Sequence, residues 1–187
     1  MIGAIIGDIL GSRFEFNNTS DYNFPLFPPG SRFTDDTVCT IAVADALLSG
    51  LDFREALQSW CRRYPRAGYG RGFRRWIAQD DAQPYGSFGN GAAMRVSPVG
   101  WAFREESEVI RAAMRSAAVS HNHSEGLIGA VAVALAIFRL RHGATLADID
   151  ALAVGCYGEA WESHLPVPGR FDVTCQGCVP LAFHLLR

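Results

Sequence analysis

The spacing of apolar residues constrains the fold of this 187-residue chain more than any other feature of its sequence. Apolar residues recur at intervals of three and four, the spacing that places them on one face of an α-helix. No stretch sustains the alternation of apolar and polar residues that is typical of a half-buried strand. Small or apolar residues fill nearly every position of 124–140, so we expect a central buried helix there. The pattern predicts an all-α, compact multi-helix protein.

Capping and turn residues divide the rest of the chain into further helices. A helix over 35–49 is expected to stop at Gly50, and Asp52 can cap the next one, which runs to about residue 64. We found no linker, internal repeat or low-complexity tract, and a single domain over 1–187 is predicted. Segments 19–31 and 64–85 are interpreted as loops. The other predicted helices cover 105–119, 145–157 and 176–187, the last entered through a proline.

Composition excludes several classes of protein. Seventeen basic and 19 acidic residues leave a net charge of −2, which argues against a nucleic-acid partner held by positive potential. The apolar N-terminus lacks a basic residue, and the apolar run over 127–138 is too short to cross a bilayer. Five cysteines do not form a secreted disulfide framework, and the Cys175-x-x-Cys178 pair has no second pair to complete a zinc site. We therefore expect a cytoplasmic protein without a membrane partner.

The segment Thr34-Asp35-Asp36-Thr37 is the most informative polar motif. Threonine is a good helix cap, and acids in the first turn favour the helix dipole, so capping alone explains one of the two aspartates well. Neighbouring helical residues point about 100° apart, so the two carboxylates need not share one metal ion. They can instead reach two adjacent ions, and the threonine hydroxyl can add a further oxygen ligand. Oxygen ligands suit magnesium or manganese. Both interpretations remain open at this point.

Three further polar segments interrupt the helical pattern. Glu15 lies between two phenylalanines, where apolar surroundings would raise its pKa and suit it to proton transfer, although it can equally be a surface acid. The glycine-rich loop over 86–95 can cradle a phosphate with backbone N–H groups, or can simply be a turn that enters a helix. The His121-x-His123 pair has a spacing that permits metal binding, although a capped helix start explains it as well.

Four motifs occur in a fixed order along the chain. They are Gly-Asp-x-x-Gly-Ser-x-x-Glu from Gly7, Phe-Thr-Asp-Asp-Thr from Phe33, Ser-Phe-Gly-Asn-Gly-x-x-Met-Arg from Ser87, and Ser-His from Ser120. In this order they resemble the ADP-ribosylglycohydrolase family, which contains dinitrogenase reductase-activating glycohydrolase. The tail over 171–180 resembles a bacterial branch of that family.

The resemblance implies an all-α fold with two divalent ions, Mg²⁺ or Mn²⁺, at the bottom of a cleft. The implied reaction is hydrolysis of the glycosidic bond that joins ADP-ribose to a protein side chain or small group. Some relatives carry aspartate at the position of Ser87, so the identity of the acid or base stays open. The implied metal ligands are Thr34, Asp35 and Asp36; the implied catalytic residues are Glu15, Asp35 and Asp36; and the implied ligand-binding residues are Ser87, Phe88, Gly89, Asn90, Gly91 and His121.

The sequence departs from the family pattern at its end. The family has a second metal motif of the form Gly-Gly-Asp-[Ser/Thr]-Asp-[Ser/Thr], and this chain stops at Arg187 before any such motif. The Asp-x-Asp spacing at 148–150 lacks the glycines and the following hydroxyl. Because two ions carry four positive charges and Asp35 and Asp36 supply only two negative ones, we expect one tightly bound ion or none, and impaired hydrolysis. A non-catalytic module that binds ADP-ribose or a nucleotide is the alternative, and a homo-oligomer that covers the shortened end is a further expectation.

Overall fold

The computed structural model describes residues 1–17, 19, 21, 23–165 and 172–186, and helices make up most of this part of the chain. It contains no β-strand, only an isolated backbone bridge between Gly89 and Thr174, so the all-α prediction is confirmed. The helices are α1 (Ile2–Gly11), α2 (Asp35–Ser49), α3 (Phe53–Arg63), α4 (Arg71–Ala78), α5 (Gly91–Met94), α6 (Val99–Ala102), α7 (Glu106–Ala118), α8 (Ser124–Arg141), α9 (Leu146–Tyr157), a 3₁₀ helix (Trp161–His164) and α10 (Cys175–Leu185).

The helix ends follow the capping residues found in the sequence. The Thr34 hydroxyl accepts a hydrogen bond from the backbone N–H of Asp36 at 3.3 Å, and α2 ends at Gly50, whose φ of 70° is left-handed. Thr145 and Asp148 form a reciprocal capping box at the start of α9. Asp148, the first acid of the Asp-x-Asp spacing at 148–150, therefore caps the N-terminus of α9.

The central buried helix is α8, as the sequence predicts. It contacts α5, α6, α7, α9 and α10, and its buried residues are mostly alanine and glycine. An added Cβ at Gly129 would lie 2.6 Å from the Sγ of Cys175 in α10. An added Cβ at Gly100 of α6 would lie 2.7 Å from the backbone oxygen of Ala134 in α8. Small side chains therefore let neighbouring helices approach α8 closely.

Two stretches differ from the sequence interpretation. The segment 64–85 contains α4, an eight-residue helix that buries Phe73, Trp76 and Ile77. Its amphipathic stripe spans only two turns, too short for the helical period to stand out. The tail helix α10 begins at Cys175, one residue before the predicted start, and is capped by Thr174. The ends of two sequence predictions, residue 187 of the tail helix and residue 171 of the tail motif, lie outside the described residues.

No helix in the described part of the chain is both long and apolar enough to cross a membrane. Backbone hydrogen bonds join the loop before α5 to the segment before α10. The N–H of Asn90 donates to the carbonyl of Val173 at 2.8 Å, and the N–H of Cys175 donates to the carbonyl of Phe88 at 2.9 Å. This pairing holds the glycine-rich loop beside the start of α10, next to the cleft described below.

Candidate active-site cleft

A cleft of about 740 Å³ collects most of the residues that the sequence singled out. One part of its lining comes from α1 and the start of α2. Another part comes from the loop before α5 and from His121, which follows α7. The helix ends and loops that form it are far apart in sequence. The lining includes Asp8, Glu15, Thr34, Asp35, Asp36, Ser87, Gly89, Asn90, Gly91, Arg95, His121 and Asp172.

Asp8 of α1 holds the start of α2. Its carboxylate accepts hydrogen bonds from the backbone N–H of Thr34 at 2.8 Å and of Thr37 at 3.1 Å. It also accepts from the hydroxyls of both threonines at 2.5 Å. Sequence reasoning assigned the cap to Thr34, which is correct, and missed this second capping group. The signal was present, because Asp8 belongs to the first of the four motifs.

The pKa values of the two adjacent aspartates, Asp35 and Asp36, are both raised. Burial and the neighbouring charge of Asp36 raise the pKa of Asp35 from 3.8 to about 7. Burial and the charge of Asp8 raise the pKa of Asp36 from 3.8 to about 6, although the hydrogen bond with Thr34 opposes the increase. Carboxylates of like charge therefore lie close together in this part of the cleft, and a bound cation would reduce the repulsion between them.

Glu15 lines the same cleft but is an exposed residue. Partial burial and the charge of Asp8 raise its pKa, and the charge of Arg32 opposes the increase. Of the flanking phenylalanines, Phe14 packs edge-on against Phe24, whereas Phe16 is 87% exposed. Features of both sequence interpretations are present, because Glu15 is an exposed acid whose pKa is nevertheless raised.

The chemistry of the acidic residues fits a hard divalent cation in part. Asp35 and Asp36 offer carboxylate oxygens, the donors that Mg²⁺ and Mn²⁺ prefer. The Thr34 hydroxyl is already engaged by Asp8 at 2.5 Å and approaches Asp36 at 3.3 Å. Among the described residues, no group of three or more histidine, cysteine, aspartate or glutamate side chains is arranged to hold a metal. Asp35 and Asp36 therefore offer two carboxylates, with no third side chain of these types arranged with them to hold a metal in the described part of the chain.

The glycine-rich loop is less open than the sequence suggested. The N–H of Gly86 donates to the Asn122 side chain at 2.7 Å, and the N–H of Gly89 donates to the Ser87 hydroxyl at 3.2 Å. With the N–H of Asn90 bonded to a carbonyl, these three groups are not available as an anion cradle. The side chains of Ser87 and Asn90 remain beside the cleft.

Phe88 is the one predicted site residue that does not line the cleft. Its ring is 47% exposed and lies 5.4 Å from the ring of His123. The ring nitrogen of His123 accepts from the N–H of Glu125 and caps α8, so the second histidine of the His-x-His pair serves a helix start. His121, in contrast, faces the cleft and is buried.

His121 lies beside a cation that sequence reasoning did not assign to the site. Arg95 is completely buried and donates to the carbonyl of Ser116 at 2.7 Å and to the hydroxyl of Ser120 at 3.0 Å. Burial and this positive charge lower the pKa of His121 from 6.5 to about 3. His121 is therefore neutral at physiological pH and cannot act there as a cationic acid. The signal for Arg95 was its place at the end of the third motif.

Comparison with known proteins agrees with the motif order. The sequence profile of the ADP-ribosylglycohydrolase family matches residues 1–167. The ADP-ribosylhydrolase ARH3 of Danio rerio is 30% identical over 174 residues, covering 77% of this chain and 47% of the relative. The Homo sapiens protein of the same name is 31% identical over 172 residues, covering 73% of this chain and 47% of the relative. The chain spans about half the length of the curated relatives it matches.

Structural comparison supports the fold. A solved structure titled "ADP-ribosylglycohydrolase-related protein complex" matches with a TM-score of 0.72 and 24% identity, covering 97% of this chain and 71% of that chain. At that identity the match speaks for the fold alone, and it agrees with the all-α architecture described above. The family resemblance inferred from the four motifs is confirmed by the sequence matches. Because the family profile extends over most of the chain, this chain belongs to the ADP-ribosylglycohydrolase family.

Proposed function

We propose that this chain binds ADP-ribose attached to a protein side chain or small group and hydrolyses the glycosidic bond with the help of Mg²⁺ or Mn²⁺. The observation that carries the proposal is the meeting, in one cleft, of the crowded aspartates of α2 with Ser87, Asn90 and His121. Hydrolysis of such a bond adds water at the anomeric carbon of the ribose and releases the side chain or small group as its protonated form. A site for it needs groups that hold the ribose and a group that transfers a proton.

Asp35 and Asp36 are the residues that would hold a divalent cation, with Thr34 beside them. A bound cation would orient ribose hydroxyls and lower the pKa of a coordinated water. Burial and neighbouring negative charges raise the pKa values of both carboxyls, and a bound cation would offset the repulsion between the carboxylates, which supports this assignment. Asp8 contributes by holding the first turn of α2 through its bonds to Thr34 and Thr37.

Glu15 is the proposed proton-transfer residue. Its carboxylate lines the cleft, and its pKa is raised by partial burial and by the charge of Asp8. A carboxyl with a pKa closer to neutrality exchanges protons more effectively at physiological pH. His121 is unsuited to that role because its pKa is about 3, and we assign it to ligand binding with Ser87 and Asn90.

A non-catalytic ADP-ribose-binding module is the second candidate. The observation that favours it is that no group of three or more histidine, cysteine, aspartate or glutamate side chains is arranged to hold a metal among the described residues. Such a module would retain the cleft, the loop and His121 and would hold the ligand without turnover. The five cysteines are unpaired in the structure, which supports the cytoplasmic location that belongs to either proposal.

Calorimetry and a turnover assay on the 187-residue polypeptide test the proposal. We expect at most one tightly bound Mg²⁺ or Mn²⁺, because Asp35 and Asp36 supply two charges and magnesium wants about six oxygen ligands. Release of ADP-ribose from an ADP-ribosylated peptide should be slow, should depend on the metal, and should be lost in Asp36→Asn. The matched control is Asp80→Asn, which changes a fully exposed acid outside the cleft.

Each outcome separates the candidates. Tight ADP-ribose binding without turnover at any metal concentration would favour the binding module over the enzyme. Two tightly bound ions with rapid turnover would show that the ligand count is wrong. Turnover that is equal with metal and with a chelator would remove Asp35 and Asp36 from their proposed role.

Association of the polypeptide, measured by light scattering, would test the expected homo-oligomer.

A further inference from the structure

A buried chain of polar groups leads from the core to the cleft. Arg95 is completely buried, and its Nη2 donates to the Ser120 hydroxyl at 3.0 Å. The Ser120 oxygen in turn lies 2.8 Å from Nδ1 of His121. Both Ser120 and His121 are buried. The proposed reaction assigns no role to Arg95 or Ser120.

The chemistry of the donors fixes the direction of this chain. A guanidinium has only donors, so the Ser120 oxygen accepts from Arg95. Within the described part of the protein, His121 Nδ1 is the sole acceptor bonded to the Ser120 hydroxyl, whose hydrogen would otherwise be buried without a partner. A buried hydroxyl hydrogen without an acceptor is unfavourable. The hydroxyl therefore donates to Nδ1, which must carry a lone pair.

Neutral histidine carries its single ring hydrogen on one nitrogen only. With a lone pair on Nδ1, the hydrogen of His121 resides on Nε2. That nitrogen lies at the glycine-rich loop, because an added Cβ would be 2.8 Å from it at Gly91 and 4.0 Å from it at Gly89. The absence of a side chain at Gly91 thus leaves the Nε2 position accessible from the cleft.

We propose that Arg95 and Ser120 are positioning residues that lock His121 in its Nε2–H tautomer, so that it presents a fixed N–H donor to an oxygen of the bound ligand. The identity of that ligand, the ribose or diphosphate of ADP-ribose, rests on the proposed function. The lock itself does not. Two aromatic rings flank the imidazole, that of Phe73 at 6.3 Å and that of Tyr85 at 5.8 Å between ring centroids.

Two further observations agree with the lock. Arg95 lies over the ring of Phe73 at 5.7 Å, and its Nε and Nη1 have no hydrogen-bond partner among the described atoms. Burial of a cation with unbonded donors is costly, so the bonds that Arg95 does make, to Ser116 and Ser120, are important for holding it in place. Burial and the same positive charge disfavour the imidazolium form, so His121 keeps a single ring hydrogen.

Nitrogen-15 NMR of the wild-type protein, without ligand, tests the lock directly. The prediction is a pyridine-type signal for Nδ1 and a pyrrole-type signal for Nε2 of His121, unchanged from pH 6 to pH 8. A protonated Nδ1, or averaged signals from two tautomers, would overturn the proposal. This measurement requires no variant to fold and no ligand to bind.

Ser120→Ala and Ser116→Ala form a matched pair for the positioning role. Both remove a buried serine hydroxyl from adjacent turns, but the Ser116 hydroxyl has no partner, and only its backbone carbonyl meets Arg95. Ser120→Ala should give mixed tautomers and bind ADP-ribose about tenfold more weakly, the loss expected for one hydrogen bond of the upper range. Ser116→Ala should keep the wild-type spectrum and affinity.

The two proposals fail separately. Wild-type protein that shows the Nε2–H signal but binds no ADP-ribose would contradict the proposed function and support the lock. Ser120→Ala protein with the wild-type spectrum, or with unchanged affinity beside altered tautomers, would remove Ser120 from the positioning role. Circular dichroism of both variants establishes that they are folded before these readings are compared.

Discussion

Replacing Asp35 by asparagine should stabilise the metal-free protein at pH 8 while removing its response to magnesium. In the folded state, burial and the charge of Asp36 raise the pKa of Asp35 from 3.8 to about 7. The ionised carboxylate is therefore less favourable in the folded protein than in the unfolded chain. Asparagine keeps the shape and one acceptor oxygen but carries no charge, so it relieves the repulsion.

The expected magnitude follows from two opposing effects. A pKa increase from 3.8 to about 7 corresponds to about 4 kcal/mol at 1.4 kcal/mol per pH unit, which is an upper bound because Asp35 is only partly buried and water screens its charge. Loss of the negative charge at the start of α2 removes a favourable dipole interaction of up to about 1 kcal/mol. The net gain in free energy of unfolding at pH 8 should be roughly 1–2 kcal/mol.

The sign of the pH dependence follows from linkage. Because the pKa of Asp35 is higher in the folded state, the folded protein binds more protons between about pH 4 and pH 7. The stabilisation that Asp35 contributes is fully present below pH 4 and is lost as the pH rises through 7. Asp36, whose pKa is raised to about 6, acts in the same direction. The advantage of the asparagine variant should therefore be small at pH 4 and largest at pH 8.

Urea denaturation followed by tryptophan fluorescence measures this effect, with a chelator present and then with Mg²⁺. Saturation of the wild type at 100 times its Kd should add about 2.7 kcal/mol to its free energy of unfolding, and the variant should gain far less. Asp80→Asn serves as the control, because its carboxylate is fully exposed and makes a 3.5 Å ion pair with Arg62 at the surface; its stability should stay close to that of the wild type and its response to Mg²⁺ should be unchanged.

Two results would refute the reasoning. If Asp35→Asn were less stable than the wild type at pH 8 with the chelator present, the carboxylates would not be repelling one another as the structure indicates. If the variant gained as much stability from Mg²⁺ as the wild type, Asp35 would not be a metal ligand.

Three further predictions concern the cap, the loop and the helix packing. Asp8→Ala should lower the free energy of unfolding by about 1–3 kcal/mol in urea denaturation, since four hydrogen bonds to the start of α2 are lost; an unchanged midpoint would contradict the capping role. Asn90→Ala should weaken ADP-ribose binding in calorimetry, and equal affinity would remove the loop from the site. Gly129→Ala should lower the melting temperature because its Cβ would lie 2.6 Å from a cysteine sulfur, whereas Gly155→Ala, with nothing within 4 Å, should leave it unchanged or raise it.

The sequence predicted most of the fold because its local signals agree with one another. Thr34, Asp52 and Thr145 occupy cap positions, Gly50 ends α2 in a left-handed conformation, and apolar residues follow the helical period. The short helices were not predicted, and the longest of them along 64–102 is α4, which is held by the burial of Trp76 and its neighbours against other helices rather than by local preference. An eight-residue helix gains most of its stability from such packing, which periodicity in a short window does not reveal.

The candidate site was predictable as a set of residues but not as an arrangement. Residue chemistry and motif order together selected Glu15, Asp35, Asp36, Asn90 and His121, and all of them line the cleft. The same motifs gave no reason to separate Phe88 from its neighbours, although its side chain lies outside the cleft. The direction in which a loop side chain points depends on the surfaces packed against the loop.

The amino-acid sequence by itself determined the helical class, the helix ends and the family, because periodicity, caps and motifs are properties of neighbouring residues. Only the tertiary structure decided that Asp8 caps α2 from another helix, that burial and crowding raise the pKa values of the aspartate carboxyls, and that Ser120 links buried Arg95 to His121 by hydrogen bonds. Hydrogen bonds and pKa values depend on distance and burial. Those quantities exist only once the folded chain brings distant residues together.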